Sequence, residues 1–360
     1  MLEDQRYILK EILRLIDEEQ PDGVLIAGDV YDKTVPSGEA VELLDEFLVA
    51  LSGRKLQVFL ISGNHDSPER LAFGGRLMQG SGVHVAPVYR GTVEPVVLED
   101  QYGPVNLYLL PFLKPAQVRR FFPDREIDCY TDALSVAVEA MKVDIRVRNV
   151  LVAHQFVTGA ARCDSEEISV GGMDNVDVSA FDVFDYVALG HIHGPQQVGR
   201  NTVRYCGTPL KYSFSEAKQQ KSLTVVELGA KGSVSLRTLP LRPLRDMVEL
   251  RGSYEELILR SFYDNSSYRE DYVHITLTDE EDIPDAVSKL RIIYTNLMKL
   301  DYDNRRTRAV GLVDGAEPLA ARTPLELLEE FYERQNGGPM GQEQQDFARR
   351  LMEEIWGDET

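Results

Sequence analysis

The sequence predicts an α/β layered protein over its first 240 residues, on two observations. Helical stripes of apolar residues alternate with short apolar runs of strand length. Four of those runs also close on residues able to hold a metal ion: Asp29, then Asn64, His65 and Asp66, then His154, then His191 and His193. In open α/β sheets, ligands gather at the carboxyl ends of strands, where the chain turns out of the core. Four separate strand ends can therefore supply one site.

The elements follow in order. Residues 3–19 place Ile8, Leu9, Ile12, Leu13 and Ile16 on one helical face. The run VLIAGD predicts a strand that ends at Asp29. A second helix carries the stripe Val41, Leu44, Phe47, Leu48 and Leu51. Strands are then expected at VFLISGNHD, NLYLLPF, NVLVAHQF and YVALGHIH. Gly28, Gly63 and Gly190 each precede a polar residue and suit tight turns with close backbone approach. RYCGTPLKYSFSE and SLTVVEL are expected as further strands that close a domain spanning 1–240. Residues 241–315 hold the strand patterns MVELRG and DYVHITLT and the helical pattern DAVSKLRIIYTNLMKL, which predict a small α+β domain. The tail, 316–360, contains two amphipathic helical patterns on either side of a GGPMG turn, with Thr323 and Pro324 as N-cap and first helical residue.

Composition narrows the function classes. With 360 residues, 43% hydrophobic and 27% charged, the chain can bury the cores of two or three domains. It has no run of about 18 apolar residues, so no transmembrane helix is expected. The opening MLEDQRYILK lacks a signal-peptide pattern, which predicts a cytoplasmic protein. Cys129, Cys163 and Cys206 form no CxxC pair, so reduced thiols are expected rather than a zinc ribbon or a disulfide framework. The net charge of −20 argues against a free-standing nucleic-acid binder. A subunit whose DNA is held largely by a partner, with bound metal offsetting the local field, remains compatible with it.

Hydrolysing a phosphodiester requires neutralised oxyanions, an activated water and a stabilised leaving oxygen, and two divalent cations about 3.5–4 Å apart serve all three. GDVYD, GNHD, VLVAHQF and GHIH offer the carboxylates, amide oxygen and imidazoles such a site needs. Oxygen and imidazole ligands suit manganese or iron, whereas thiolates would indicate zinc. Taken singly, an Asp after a strand commonly caps the next element, and a lone His on a strand is commonly a satisfied core group. GNHD is more specific, because it crowds three polar groups where a turn needs one. GHIH places its two histidines on one side if the chain is extended there. All four together, each at a strand end, have no comparable structural explanation.

These motifs resemble those of the calcineurin-like metallophosphoesterases, and within them the SbcD-type exonuclease subunits. The resemblance spans nearly the whole chain through GDVYD, GNHDSPERL, HQFVTGA with SEEISVGG, FDYVALGHIHGPQ and YCGTPLKYSFSE. It implies a four-layer α/β/β/α domain, a small α+β capping domain and a helical tail that docks on SbcC, a coiled-coil ATPase. It also implies a homodimer and a pair of divalent ions, with manganese as the metal the family suggests. By resemblance, Asp29 bridges the ions. Asn64, His154 and His191 complete the second position, and His193 belongs to the first. His65 assists the leaving oxygen, Asp66 orients His65, and Asp32 buttresses the loop. The docking faces would be Leu325, Leu328, Phe331 and Tyr332, and Phe347, Leu351, Ile355 and Trp356. The implied activity is ATP-regulated exonuclease and endonuclease cleavage of DNA ends and hairpins in repair, recombination and replication.

In one respect the sequence departs from the pattern. The family opens with a strand ending in Asp-x-His, yet none of the six histidines here has an aspartate two positions before it. The first metal position then keeps only Asp29 and His193, so the chain is expected to hold one ion and to have reduced stability and weak or absent nuclease activity. Either Met1 is an internal methionine of a longer, active protein, which the completeness of the other ligands favours, or the chain is a non-catalytic docking subunit. A small-molecule phosphodiesterase of the same superfamily is the other alternative.

Overall fold

The computed structural model describes residues 2–166, 175–305, 307, 324–336 and 339–357. Helix α1 (Leu2–Glu19) leads into strand β1 (Gly23–Ala27), helix α2 (Gly38–Gly53), and strands β2 (Gln57–Ile61) and β3 (Val83–Ala86). The three strands form a parallel sheet with β2 in the middle. α1 buries Ile8, Ile12, Leu15 and Ile16, close to the expected stripe. The Ser37 hydroxyl caps α2 by accepting the Ala40 N–H, and the helix buries Leu43, Phe47 and Leu51. The stripe expected through Val41 is corrected here, because Val41 is 46% exposed. Two residues turn a helix by about 200°, which sets Val41 opposite Leu43.

A second, six-stranded sheet contains β4 (Val96–Asp100), β5 (Gly103–Leu110), β6 (Arg148–His154), β9 (Tyr186–Gly190), β10 (Gln196–Val198) and β11 (Arg200–Tyr205). The two-residue strands β7 (Phe156–Val157) and β8 (Asn175–Val176) pair separately. In the large sheet β5, β6, β9 and β11 run parallel, and β4 and β10 are antiparallel edges. Alternation along the strands assigns their faces. Val105, Leu107 and Leu109 of β5 and Val150 and Val152 of β6 join Phe59 and Ile61 of β2 in one cluster, which fills the space between the two sheets. The intervening Tyr108, Leu110, Leu151 and Ala153 pack with Leu134, Ala137 and Met141 of the helix Tyr130–Met141 on the other face.

The hairpin β12 (Ser222–Leu228) and β13 (Val234–Pro240) contributes Val226, Leu228, Val234 and Leu236 to the cluster between the sheets. Its Leu223 and Leu239 pack with α1 and α2. The expected strand at YCGTPLKYSFSE stops at Tyr205, and Phe214–Glu216 form a single 3-10 turn instead. Gly207 at φ +80° turns the chain away, and Pro209 has no N–H for a ladder.

Beyond the hairpin, β14 (Met247–Gly252), β15 (Tyr272–Leu277) and β16 (Asn296–Tyr302) form a parallel sheet around Leu250, Val273, Ile275, Leu290 and Tyr294. The helix expected across 285–300 is shorter than its pattern suggested. It covers Ala286–Arg291, and NLMKL lies in β16. Ile292, Ile293, Tyr294 and Thr295 are better suited to extended chain than to helix, and pairing with β15 completes the override.

Arg245, ahead of β14, reaches back to α1. Its Nη1 lies 2.9 Å from Oδ1 of the buried Asp4, whose Oδ2 accepts the Tyr272 hydroxyl at 2.8 Å. Burial pushes the Asp4 carboxyl up, but Tyr272 and Arg245 together hold it below the usual range. Arg245→Ala leaves a buried carboxylate short of its charged partner and should cost about 2 kcal/mol, read as a lower midpoint in urea unfolding.

The tail helices Pro324–Asn336 and Gln342–Gly357 are linked by the Gln344 amide, which donates to the Tyr332 hydroxyl at 3.0 Å. Phe331, Phe347 and Leu351 are exposed and Leu325, Leu328 and Tyr332 are partly so. Thr323 and the side chains of Ile355 and Trp356 lie outside the described residues. No described helix is long and apolar enough to cross a membrane.

Candidate metal centre

The site forms where the two sheets meet at their carboxyl ends. His154 has the same parity as Val150 and Val152, so β6 sends its ring into the space between the sheets. There the imidazole Nδ1 lies 2.7 Å from the Ala27 carbonyl at the end of β1. Gly190, paired with His154 in register, closes β9 against the same carbonyl. A Cβ at Gly190 would stand 1.8 Å from Ala27 O, so only glycine lets β9 approach β1 this closely. Gly63 plays the same part for the loop after β2, since a Cβ there would stand 2.1 Å from Asp29 Oδ1.

Asp29 and His191 follow these strand ends at φ +47° and +96°, a backbone region that non-glycine residues rarely occupy. The strain turns both side chains toward one point. Asn64 Oδ1 lies 3.0 Å from His154 Nε2 and 3.0 Å from His191 Nδ1, and Asp29 Oδ2 lies 3.0 Å from His154 Nε2. One ligand atom each from Asp29, His154 and His191 falls within a 4.8 Å cluster. Phe112, just past β5, stacks on His191 at 6.5 Å and meets His154 edge-on at 6.1 Å, giving the rings an apolar backing.

The donor set fits a divalent cation. A carbonyl can only accept, so the proton of a neutral His154 is placed on Nδ1 toward Ala27. Its Nε2 then presents a lone pair to two further acceptors, Asn64 Oδ1 and Asp29 Oδ2. Burial pushes the Asp29 carboxyl up, but with no cation bound the charge of a protonated His154 and the backbone N–H of His65 outweigh it and hold it at about 2. A bound cation would take the place of that His154 charge. Converging acceptors around an ionised carboxylate are what a hard or borderline cation satisfies.

His65 and Asp66 behave differently from each other. The His65 N–H donates to Asp29 Oδ1 at 3.0 Å, and its ring Nδ1 lies 3.2 Å from the Asp32 carbonyl. Asp32 thus acts on the loop through its backbone. Asp66 was expected to orient the His65 ring, and here the contacts correct the sequence reading. Its Oδ1 accepts the Tyr31 N–H, and its Oδ2 accepts the Val30 and Gly63 N–H groups. Three backbone donors occupy the carboxylate, so Asp66 fastens the GDVYD loop to the GNHD turn instead of touching the imidazole. Burial, the largest influence, leaves its pKa raised despite those donors.

His193 has a different set of partners. Its ring Nδ1 lies 2.8 Å from Ser165 Oγ and its backbone N–H donates to Glu166 Oε1 at 2.6 Å. Behind Ser165 is Glu216, fully buried and paired with Lys221 at 2.5 Å. Burial pushes Glu216 up, but His193, Lys221 and Ser165 together bring it down to about 2.

The profile of the calcineurin-like phosphoesterases matches residues 2–195, more than half of the chain. The chain belongs to the calcineurin-like phosphoesterase family. An SbcD C-terminal domain, described as the type 5 capsule protein repressor C-terminal domain, matches residues 243–336. A Staphylococcus epidermidis protein, named as the D subunit of the nuclease SbcCD, is 31% identical over 359 residues, covering 98% of this chain and 93% of that protein. Its namesake from Staphylococcus saprophyticus is 33% identical over 304 residues, covering 83% and 79% respectively. The chain is therefore an SbcD-type member of the phosphoesterase family, a family that uses divalent metals.

Of the ligands anticipated from the sequence, this phosphoesterase brings Asp29, Asn64, His154 and His191 together and holds His193 in a separate network. Sequence reasoning missed Phe112 and Gly190's contact with Ala27. Phe112 also follows a strand end, but an aromatic residue there carries no ligand signal.

Proposed function

We propose that the chain is the nuclease subunit of an SbcC–SbcD-like complex that hydrolyses phosphodiester bonds in DNA ends and hairpins, with weak or absent activity expected of this chain because its first metal position is incomplete. The single observation that carries this is the convergence of Asp29, Asn64, His154 and His191 from four strand ends. A divalent ion, manganese by preference, would be held there and would supply Lewis-acid polarisation of the phosphoryl group and a water nucleophile at neutral pH. Asp29 contributes the fixed negative charge and Asn64 the neutral oxygen. His154 and His191 present ring nitrogens backed by Phe112. His65 is the group that holds or moves a proton at the leaving oxygen, through its Nε2.

The apolar clusters support a four-layer α/β/β/α reading of residues 1–240, with α1 and α2 outside one sheet and Tyr130–Met141 outside the other. Residues 241–315 would cap DNA access, and 316–360 would dock on the coiled-coil ATPase. The exposed Phe331, Phe347 and Leu351 support that docking. A homodimer follows the same family reading.

The first metal position would have only Asp29 and His193, too few ligands to fix an ion, so the chain by itself should bind one manganese ion tightly, at Asp29, His154 and His191. Calorimetric titration of the metal-stripped protein should give a stoichiometry near one. Two tight sites would refute the single-ion reading. DNA cleavage is tested with the ATPase partner and ATP, alongside a generic phosphodiester such as bis-nitrophenyl phosphate. Cleavage of the small ester without DNA would instead favour a small-molecule phosphodiesterase. Metal binding without cleavage of either would favour a docking role.

A further inference from the structure

We propose that Ser165 and Glu216 form a positioning relay that fixes the His193 imidazole as its Nδ1–H tautomer, leaving Nε2 unprotonated for a metal ion. The proposal rests on the reading of His193 as a ligand. It gives a role to Ser165 and Glu216, which the ligand set itself leaves unused.

Donor accounting fixes the direction of the relay. Glu216 Oε1 accepts from the Tyr212 and Ser213 N–H groups, each at 3.2 Å, and Oε2 accepts from the Lys221 ammonium at 2.5 Å. An ionised carboxylate has no proton to give, so the 2.6 Å contact between Ser165 Oγ and Glu216 Oε1 must be made by the serine proton. Ser165 has only that one proton. Its contact with His193 Nδ1 at 2.8 Å can therefore be a hydrogen bond only if the ring nitrogen donates. The proton is thus placed on Nδ1, and Nε2 keeps its lone pair. Metal-binding histidines are commonly held by a carboxylate on the nitrogen away from the metal, and here a hydroxyl carries that influence across one extra bond.

The backbone of His193 is fixed from both sides as well. Its N–H donates to Glu166, and its carbonyl accepts the Thr208 N–H at 3.0 Å and the Lys221 ammonium at 2.8 Å.

The test is long-range proton–nitrogen NMR of the full chain labelled with 15N-histidine, with His193 assigned by its loss in His193→Gln. The wild type should show Nδ1 protonated. Ser165→Ala should abolish that preference and weaken zinc binding, followed at the His193 Nε2 resonance, by about 10- to 100-fold. Ser165→Thr, which keeps the hydroxyl, should restore both. Unchanged signals of the other five histidines report an intact fold. A proton on Nε2 in the wild type, or an unaltered tautomer in Ser165→Ala, overturns the relay. The expected tautomer with an Nε2 signal that zinc leaves unmoved overturns the ligand reading and upholds the relay.

Discussion

Replacing His154 by alanine should reduce manganese affinity by at least about 100-fold and DNA cleavage by about a thousandfold, with the fold retained. The ring is 1% exposed and its Nε2 lies 3.0 Å from both Asp29 Oδ2 and Asn64 Oδ1, so it is a hub of the cluster. A metal ion contributes several kcal/mol of charge stabilisation in a phosphoryl transition state, and about 4 kcal/mol corresponds to about a thousandfold in rate. Losing a ligand should cost more affinity than losing a group behind one, which typically costs about 10- to 100-fold. Calorimetry with manganese and cleavage of end-labelled DNA, with the proposed ATPase partner present, measure the two effects. Circular dichroism separates them from unfolding, because the vacated ring also leaves a cavity between the sheets. Wild-type affinity in the variant would mean that the cluster is not where the ion sits.

That hub was visible in the sequence because strand parity and strand ends are local properties. His154 follows Val150 and Val152 at two-residue steps, and nothing distant is needed to put it on the face between the sheets. Asp29, Asn64 and His191 were legible by the same rule. The strand expected at YCGTPLKYSFSE failed on a local signal, Gly207 and Pro209, but the other misreadings depended on contacts between distant segments. NLMKL has a helical pattern but pairs with β15, and Val41 fits a helical stripe but faces away from Leu43. Asp66 lies beside His65 in sequence, yet its oxygens are claimed by N–H groups of residues 30, 31 and 63. Ser165 and Glu216 are 51 positions apart, and no periodicity connects them. A side chain's partner is a tertiary fact even when its position on a strand is a local one.

The buried pair behind His193 is where a substitution should cost the most stability. Lys221 is 3% exposed, and its ammonium meets Glu216 Oε2, the His193 carbonyl, Thr208 Oγ1 and Gln219 Oε1. Lys221→Met keeps the bulk of the side chain but leaves the fully buried Glu216 without its counter-charge. Breaking one half of such a pair typically costs about 3–5 kcal/mol, read from urea or thermal unfolding near neutral pH. Substituting both members, as Glu216→Leu with Lys221→Met, should recover much of that loss, because no charge then remains to be desolvated. The effect should also follow pH with a definite sign. Glu216 is lowered from 4.5 to about 2 in the folded chain, so its contribution is fully present above pH 4.5 and fades as the pH falls toward 2. The gap between wild type and Lys221→Met should therefore be widest above pH 4.5 and narrow below it, since a protonated Glu216 no longer needs the ammonium. A gap that stayed constant down to pH 2 would show that Lys221 stabilises the fold by packing and not by its charge.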